Sequence, residues 1–271
     1  MKIDFIRVFG FEPALHGMRN PMDSWHDADS KFYDPDTGIT VDSDFGTMLV
    51  PEKPEIGPKD MELARKLIQR GDEHRKFLRQ IMVWVRLKLP RFVWQEVDTY
   101  KVATTRMSCS TMNKLGSMDL DQIDFECPIS ENTLRNINEL GRVLRESKAE
   151  HAGMATRAAR VQLKNDLPEG FLQAAMYTMS YETALKMLMQ RESHRLPQWR
   201  LSDEGSICQF LMGLPYMSQF YEAMMWRRTQ IREVMAELTN LITMYDDGDG
   251  QIHVGKSALE DLRTKLKRVA G

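Results

Sequence analysis

No apolar run in this 271-residue chain approaches the roughly 20 residues that a membrane-crossing helix needs, so no membrane partner is expected. The opening Met1-Lys2-Ile3-Asp4-Phe5 lacks the long apolar core of a secretory leader, and a cytoplasmic location is the expectation. Cysteine is scarce. Cys109, Cys127 and Cys208 are odd in number and never form a Cys-x-x-Cys pair, which argues against a disulfide scaffold and a structural zinc site. Reduced thiols and no metal are expected. An excess of one charge is missing too: 37 basic against 39 acidic side chains leave a net charge of -2. Without a global basic field there is no reason to expect nucleic acid as a partner, and any anion site must be local. Internal repeats and low-complexity segments are also absent.

What the chain does have is a 42% hydrophobic composition, enough for one large core. A single domain over 1–245 is expected, followed by an acidic turn and a C-terminal helix over 246–271. Residues 10–58 are rich in Pro, Gly, Asp and Ser without sustained periodicity, and read as an irregular arm or lid. The 20 methionines, gathered as Met176, Met179, Met187, Met189 and Met224-Met225, suit either adaptable core packing or a cofactor pocket. Lys59 to Arg79 has helical spacing interrupted at Gly71. Ile81 to Leu87 alternates apolar residues with Arg86 and describes a half-buried strand. Pro90 ends that strand and pre-sets a helix start. A long amphipathic helix is expected over Ser130 to Asn165, broken near Gly153. Asp166-Leu167-Pro168-Glu169 carries helix-start chemistry, and a buried helix is expected from there to about Arg191. Ser202-Asp203-Glu204 then caps a helix through Leu211, Pro215 opens another to about Met244, and a last one covers Lys256 to Val269. Tyr245 to Ile252 has half the ligands of a calcium loop, but Tyr245 and Lys256 occupy positions where calcium needs oxygen anions, so an acidic turn is expected.

The densest chemistry lies between Leu89 and Thr111, where charge, aromatics and hydroxyls share one segment suited to an anionic ligand. Its order, a strand, then Lys88-Leu89-Pro90-Arg91-Phe92-Val93, a polar helix and a hydroxyl-rich turn, is followed downstream by Arg191-Glu192-Ser193-His194 and Gln198-Trp199. Over residues 60–112 and 166–215 this order resembles the flavin-dependent thymidylate synthase family. The resemblance implies an α/β (α+β) fold with a mixed sheet and long helices. It also implies a homotetramer and a distant branch of the kind carried by bacterial viruses, hence a host cytoplasm if viral. The family signature, Arg-His-Arg, seven residues, then Ser, corresponds to Thr99-Tyr100-Lys101, seven residues, then Cys109. Its closing arginine corresponds to Thr111, and its middle asparagine and glutamate to Arg106 and Met107. A Glu-His pair corresponds to Arg79-Gln80, and a phosphate-gripping arginine to Gln173.

The activity implied is reductive methylation of dUMP at C5 with FAD, NADPH and methylene-tetrahydrofolate. Gln80, Thr99, Tyr100, Lys101 and Arg106 would then face the flavin. Glu96, Arg106, Ser108, Ser110, Thr111, Arg191 and His194 would face the nucleotide, with Arg191 against the pyrimidine ring. Read from chemistry alone, Arg191 is equally a helix C-terminal cation favoured by the macrodipole. Cys109 is either a thiolate nucleophile activated by Lys101 and Arg106, or a small hydrophobe. Glu96, which stands where the family has a glutamine, either accepts hydrogen bonds from an amino or imino group, as on a cytosine-like base, or pairs with Lys101 or Arg91 on a solvated face. Asp98 and Glu192 are the other acidic candidates. Two alternatives to the synthase activity therefore stand: a nucleotide-binding or structural module without turnover, and modification of a different pyrimidine nucleotide.

Overall fold

The computed structural model describes residues 1–32, 39–43, 46–50, 54–111, 115–147, 154–244 and 256–270. Its centre is an antiparallel pair of nine-residue strands, β4 (Met82–Pro90) and β6 (Leu172–Ser180), in register from Met82 with Ser180 to Pro90 with Leu172. The flanking strands are β1 (Lys2–Phe9), β2 (Ile39–Ser43), β3 (Gly46–Val50) and β5 (Thr104–Ser108). The sheet order is β2-β3-β1-β4-β6-β5, and the parallel pairing of β1 with β3 makes the sheet mixed. Phe5, at φ 50°, is the extra residue of a bulge where the β1–β4 register shifts between Asp4 and Arg7.

Alternation divides the sheet into two faces. Val83, Val85, Leu87 and Leu89 of β4 and Ala175, Tyr177 and Met179 of β6 are buried in the main core. Trp84, Arg86 and Lys88 point the other way, with Phe5 and Met107 exposed on that second face. The core is completed by α1 (Phe11–Arg19), α2 (Pro58–Arg70), α3 (Arg91–Val97), α6 (Tyr181–Arg191), α7 (Ile207–Met212) and α8 (Met217–Met244). A second, smaller core joins α4 (Glu131–Ser147) and α5 (Met154–Asp166) through Ile137, Leu144 and Leu163, with Leu115, Phe125 and Leu167. The chain's last helix, α9 (Lys256–Ala270), is tied to α8 by Lys265 and Glu237 at 2.8 Å.

Four expectations need correction. Residues 172–180 form the central strand β6, and the helix starts only at Tyr181, where the Ser180 hydroxyl accepts the Thr183 N–H. The apolar run there fits both periods, and pairing with β4 and β5 on both sides selects the strand. The Pro168-Glu169 turn instead satisfies α3, whose first donors, Arg91 N–H and Phe92 N–H, reach the Phe171 and Glu169 carbonyls at 3.1 and 3.2 Å. Within 10–58, Phe11, Ala14, Leu15 and Met18 are a buried helical stripe, and β2 and β3 extend the sheet. Gly10 turns into α1 at φ 95°, so close to Gln80 that a Cβ would lie 2.4 Å from its carbonyl oxygen. The hydroxyl-rich turn expected after Thr104 is the edge strand β5. At the cap before α7, Ser206 holds the Gln209 N–H where Ser202 was expected. The break near Gly153 and the 245–252 turn lie outside the described residues.

The segment before α2 is fastened by a buried ion pair. Asp60, 1% exposed, accepts Arg19 Nε at 2.6 Å and the backbone N–H groups of Asp29 and Ser30 at 3.2 and 2.9 Å. Burial pushes this carboxyl up, but the Ser30 and Arg19 hydrogen bonds outweigh it and hold it below the ordinary carboxylate value. Its contribution to stability is therefore present above the unfolded-state carboxyl pKa and lost as pH falls through the lower folded value. Asp60→Asn leaves Arg19 buried without its charge partner and is expected to cost about 3–5 kcal/mol in urea unfolding at neutral pH. The difference from wild type should shrink in acid; a constant difference down to pH 3 would contradict this role.

Candidate functional site

The β4–β6 pair delivers two helices onto the covered face. Pro90 caps α3 in extended conformation, and Ser180 caps α6. The C-terminal ends of these helices meet around Arg191. Its Nη1 donates to Glu96 Oε2 at 3.1 Å, and its Nε to the Tyr100 hydroxyl at 3.1 Å. The guanidinium stands 5.3 Å from the Trp199 ring centroid and 5.9 Å from that of Tyr100, so two aromatic faces fix it. The Tyr100 hydroxyl donates onward to Gln190 Oε1 at 2.9 Å. His194 Nε2 lies 2.9 Å from Arg191 Nη1 and 3.7 Å from Glu96 Oε2, while its Nδ1 accepts the Leu196 N–H. Glu96, Tyr100, Arg191 and His194, all named from sequence, thus form one cluster.

A second group lies around the first turns of α3. Arg106 on β5 donates to Asp98 at 2.6 Å and stacks over Trp94 at 4.8 Å. Arg91 pairs with Glu169 at 3.2 Å, and Lys164 of α5 donates to the Thr111 hydroxyl. Arg91, Trp94, Asp98, Arg106, Thr111 and Gln173 line a polar cleft of about 280 Å³. Thr111 and Gln173 also border a neighbouring, mainly apolar cavity of about 250 Å³ with Lys88, Cys109, Ser110, Asp124 and Phe171. Gln173 donates to the Cys109 carbonyl at 2.7 Å and joins the two. Burial pushes the phenol of Tyr177, behind Arg106, up to about 12.

In backbone and topology the chain is similar to solved structures of flavin-dependent thymidylate synthase ThyX from Helicobacter pylori, determined with FAD and dUMP. One aligns at TM-score 0.52 and 15% identity over 82% of this chain and 97% of that one. A second aligns at TM-score 0.52 and 14% identity, over 83% and 99%. The chain has the thymidylate synthase ThyX fold. No family model and no curated protein matches the sequence.

On this fold the residues named from sequence do not all converge. Ser108 is opposite Ala175, and the Cys109 N–H bonds the Ala174 carbonyl, so Cys109 shares the face of Lys88 and Ala174. Arg191 stands on the other face, and one protomer does not bring the two together. Gln80 sits before β4 against Gly10, Thr99 donates to the Glu96 carbonyl, and Lys101 is exposed. Glu192 is held by Tyr221 and Arg228, away from Glu96. Arg91 and Trp94, which line the cleft, and Lys164, which bonds Thr111 at its border, are residues that sequence reasoning did not select. The N1 position after Pro90 was a usable signal for Arg91; Lys164 had none, being one lysine on a polar helix face. Among the described residues there is no cluster able to hold a metal ion and no helix long and apolar enough to cross a membrane.

All three cysteines are free. Cys109 and Cys127 are exposed, whereas Cys208 is buried and its thiol is pushed up to about 12, chiefly by burial. Ellman's reagent on the native protein is expected to modify two thiols promptly and the third only on unfolding. Three thiols reacting together would contradict the packing of α7.

Proposed function

We propose that the chain is a divergent flavin-dependent thymidylate synthase-like protein whose ligand is a pyrimidine nucleotide. The observation that carries this reading is Arg191, fixed between Tyr100 and Trp199 at the end of α6 on a fold shared with a synthase solved with FAD and dUMP. A guanidinium held over two ring faces and by a carboxylate keeps its donor fork oriented, which suits the carbonyl edge of a pyrimidine. The activity on this reading is reductive methylation of dUMP at C5, with FAD as the redox group and NADPH and methylene-tetrahydrofolate as co-substrates.

The flavin contacts fit less well than the nucleotide contacts. Arg106 spends its fork on Asp98, the Tyr100 hydroxyl is shared between Gln190 and Arg191, and Thr99 is bonded to its own helix. Lys101 alone among these is an exposed cation with no ion pair among the described residues. The poor fit favours a second reading, nucleotide binding without turnover. Modification of a different pyrimidine has one support, the Glu96 carboxylate beside Arg191, which accepts hydrogen bonds where an amino group would donate them.

A homotetramer belongs to the same proposal. Cys109 and Arg191, on opposite faces in one protomer, enter a common site only if two subunits contribute. The uncovered sheet face, with Phe5 50% and Met107 72% exposed, offers apolar surface for such a contact. Light scattering during gel filtration is expected to give four times the 31.5 kDa chain mass; a monomer would leave Cys109 without a role.

Absorbance after addition of FAD and desalting, with calorimetric titration of dUMP, separates the readings. Retained flavin with dTMP formation is the synthase outcome, and dUMP binding without flavin is the binding module. In either case Arg191→Ala should weaken dUMP by about tenfold or more, the loss of a charge-assisted hydrogen bond. Unchanged affinity would remove Arg191 from the site.

A further inference from the structure

We infer that the hairpin of α8 and α9 is a docking groove for an acidic amphipathic helix of a partner protein. The groove lies outside both clefts described above, so the inference does not rest on the nucleotide reading. Val234 of α8 and Leu262 of α9 are buried and mark the seam along which the two helices meet. Glu237 and Lys265 each stand three positions beyond the seam residue, and their ion pair fixes one side of the hairpin. Ile231 and Leu259 each stand three positions before it, about 60° round the helix in the other sense, and so share the opposite side. Met235 and Leu266, one and four positions after the seam residues, fall on that side too.

Ile231, Met235, Leu259 and Leu266 are between 45% and 56% exposed. Phe220 and Met224, earlier on the same stripe of α8, are buried in the main core, so the helix keeps its core-facing stripe after leaving the core. The open part of that stripe, with its neighbours on α9, is an apolar groove that no described part of the chain covers. Charge decides what fits it. Arg232, Arg263 and Lys267 follow Ile231, Leu262 and Leu266 by one position, about 100° further round, and line the outer edges of the groove. All three are exposed, and none has a carboxylate partner among the described residues. Among the described residues Glu260 is the one acid at these edges, while Glu233, Glu237 and Asp261 lie toward the ion-pair side. A second copy of the hairpin would set basic edge against basic edge, an arrangement that works against pairing. A lipid surface is met best by aromatic side chains among the aliphatic ones, and the groove holds only Ile, Met and Leu. A helix with an apolar stripe between acidic side chains fits both features. Its stripe completes a three-helix bundle, and its carboxylates meet the basic edges.

The full chain is titrated into a labelled synthetic helical peptide whose leucines, at alternating three- and four-residue steps, are flanked by glutamates. The same peptide with lysines for glutamates is the control, and fluorescence anisotropy is the readout. The glutamate peptide is expected to bind at least about tenfold more tightly, by an advantage that salt reduces. Met235→Ser with Leu266→Ser should weaken it by at least about tenfold, and Arg263→Glu with Lys267→Glu should reverse the preference. These side chains are exposed, so the substitutions leave the core intact, which circular dichroism checks. No binding of the glutamate peptide, equal binding of the two peptides, or binding that neither pair of substitutions moves overturns the inference. So does sedimentation with phosphatidylglycerol vesicles in place of peptide binding, which assigns the groove to a lipid surface. Self-association lost in Met235→Ser with Leu266→Ser, again without peptide binding, overturns it in favour of a second copy.

Discussion

The antiparallel pairing of β4 with β6 is the constraint on which the arrangement of the site depends. Each strand ends in a residue that starts a helix: Pro90 cannot continue the ladder as a donor, and Ser180 turns its hydroxyl onto the Thr183 N–H. Because the strands run in opposite directions, α3 and α6 set out from opposite ends of the sheet and return over the same buried face. Their C-terminal ends meet, and that meeting brings Glu96 and Tyr100 to Arg191. A register slip of one residue would turn Val83, Val85, Ala175 and Tyr177 to solvent, so burial locks the pairing and, through it, the cluster.

The parts of this architecture legible in the sequence are those where local chemistry and tertiary environment agree. β4 alternates cleanly because only one of its faces is buried, and Pro90 marks its end. The α2 boundary at Gly71, the amphipathic α4 and α5, and the ends of α8 and α9 were readable for the same reason. β6 was not. Phe171 to Met179 carries apolar residues on both faces, Ala174 and Met176 on the half-buried one as well as Ala175 and Tyr177 on the core one, so its sequence lacks the period of two that separates a strand from a buried helix. Asp166-Leu167-Pro168-Glu169 then supplied a helix-start signature that the fold uses differently, with the Glu169 carbonyl accepting the Phe92 N–H of α3. The α1 stripe was hidden by its length, nine residues with Pro13 in the first turn and Gly17 in the last.

The candidate site was legible in its composition more than in its geometry. Glu96, Tyr100, Arg191 and His194 could be named in advance because the family resemblance pointed to their positions. Arg106 was also named, but its partner Asp98 and its stacking on Trp94 depend on β5 crossing beside α3. Lys164 comes from a helix in the second core, more than 50 positions from Thr111, and no local pattern connects them.

The near-zero net charge of the chain repeats itself at the site. Arg191 has Glu96, Arg106 has Asp98, and Arg91 has Glu169, so each guanidinium carries its own carboxylate. An anion entering such a site replaces an existing partner, and its net gain is the difference between two ion pairs, which is small at an exposed pair. Lys101 and Lys164 break the pattern, since neither has an ion pair among the described residues, and Lys164 instead donates to the Thr111 hydroxyl. Arg191, whose pair with Glu96 is more enclosed, is instead held in orientation by its carboxylate. The register of β5 puts Cys109 on the face opposite Arg191, so the two could act together only if two subunits contributed.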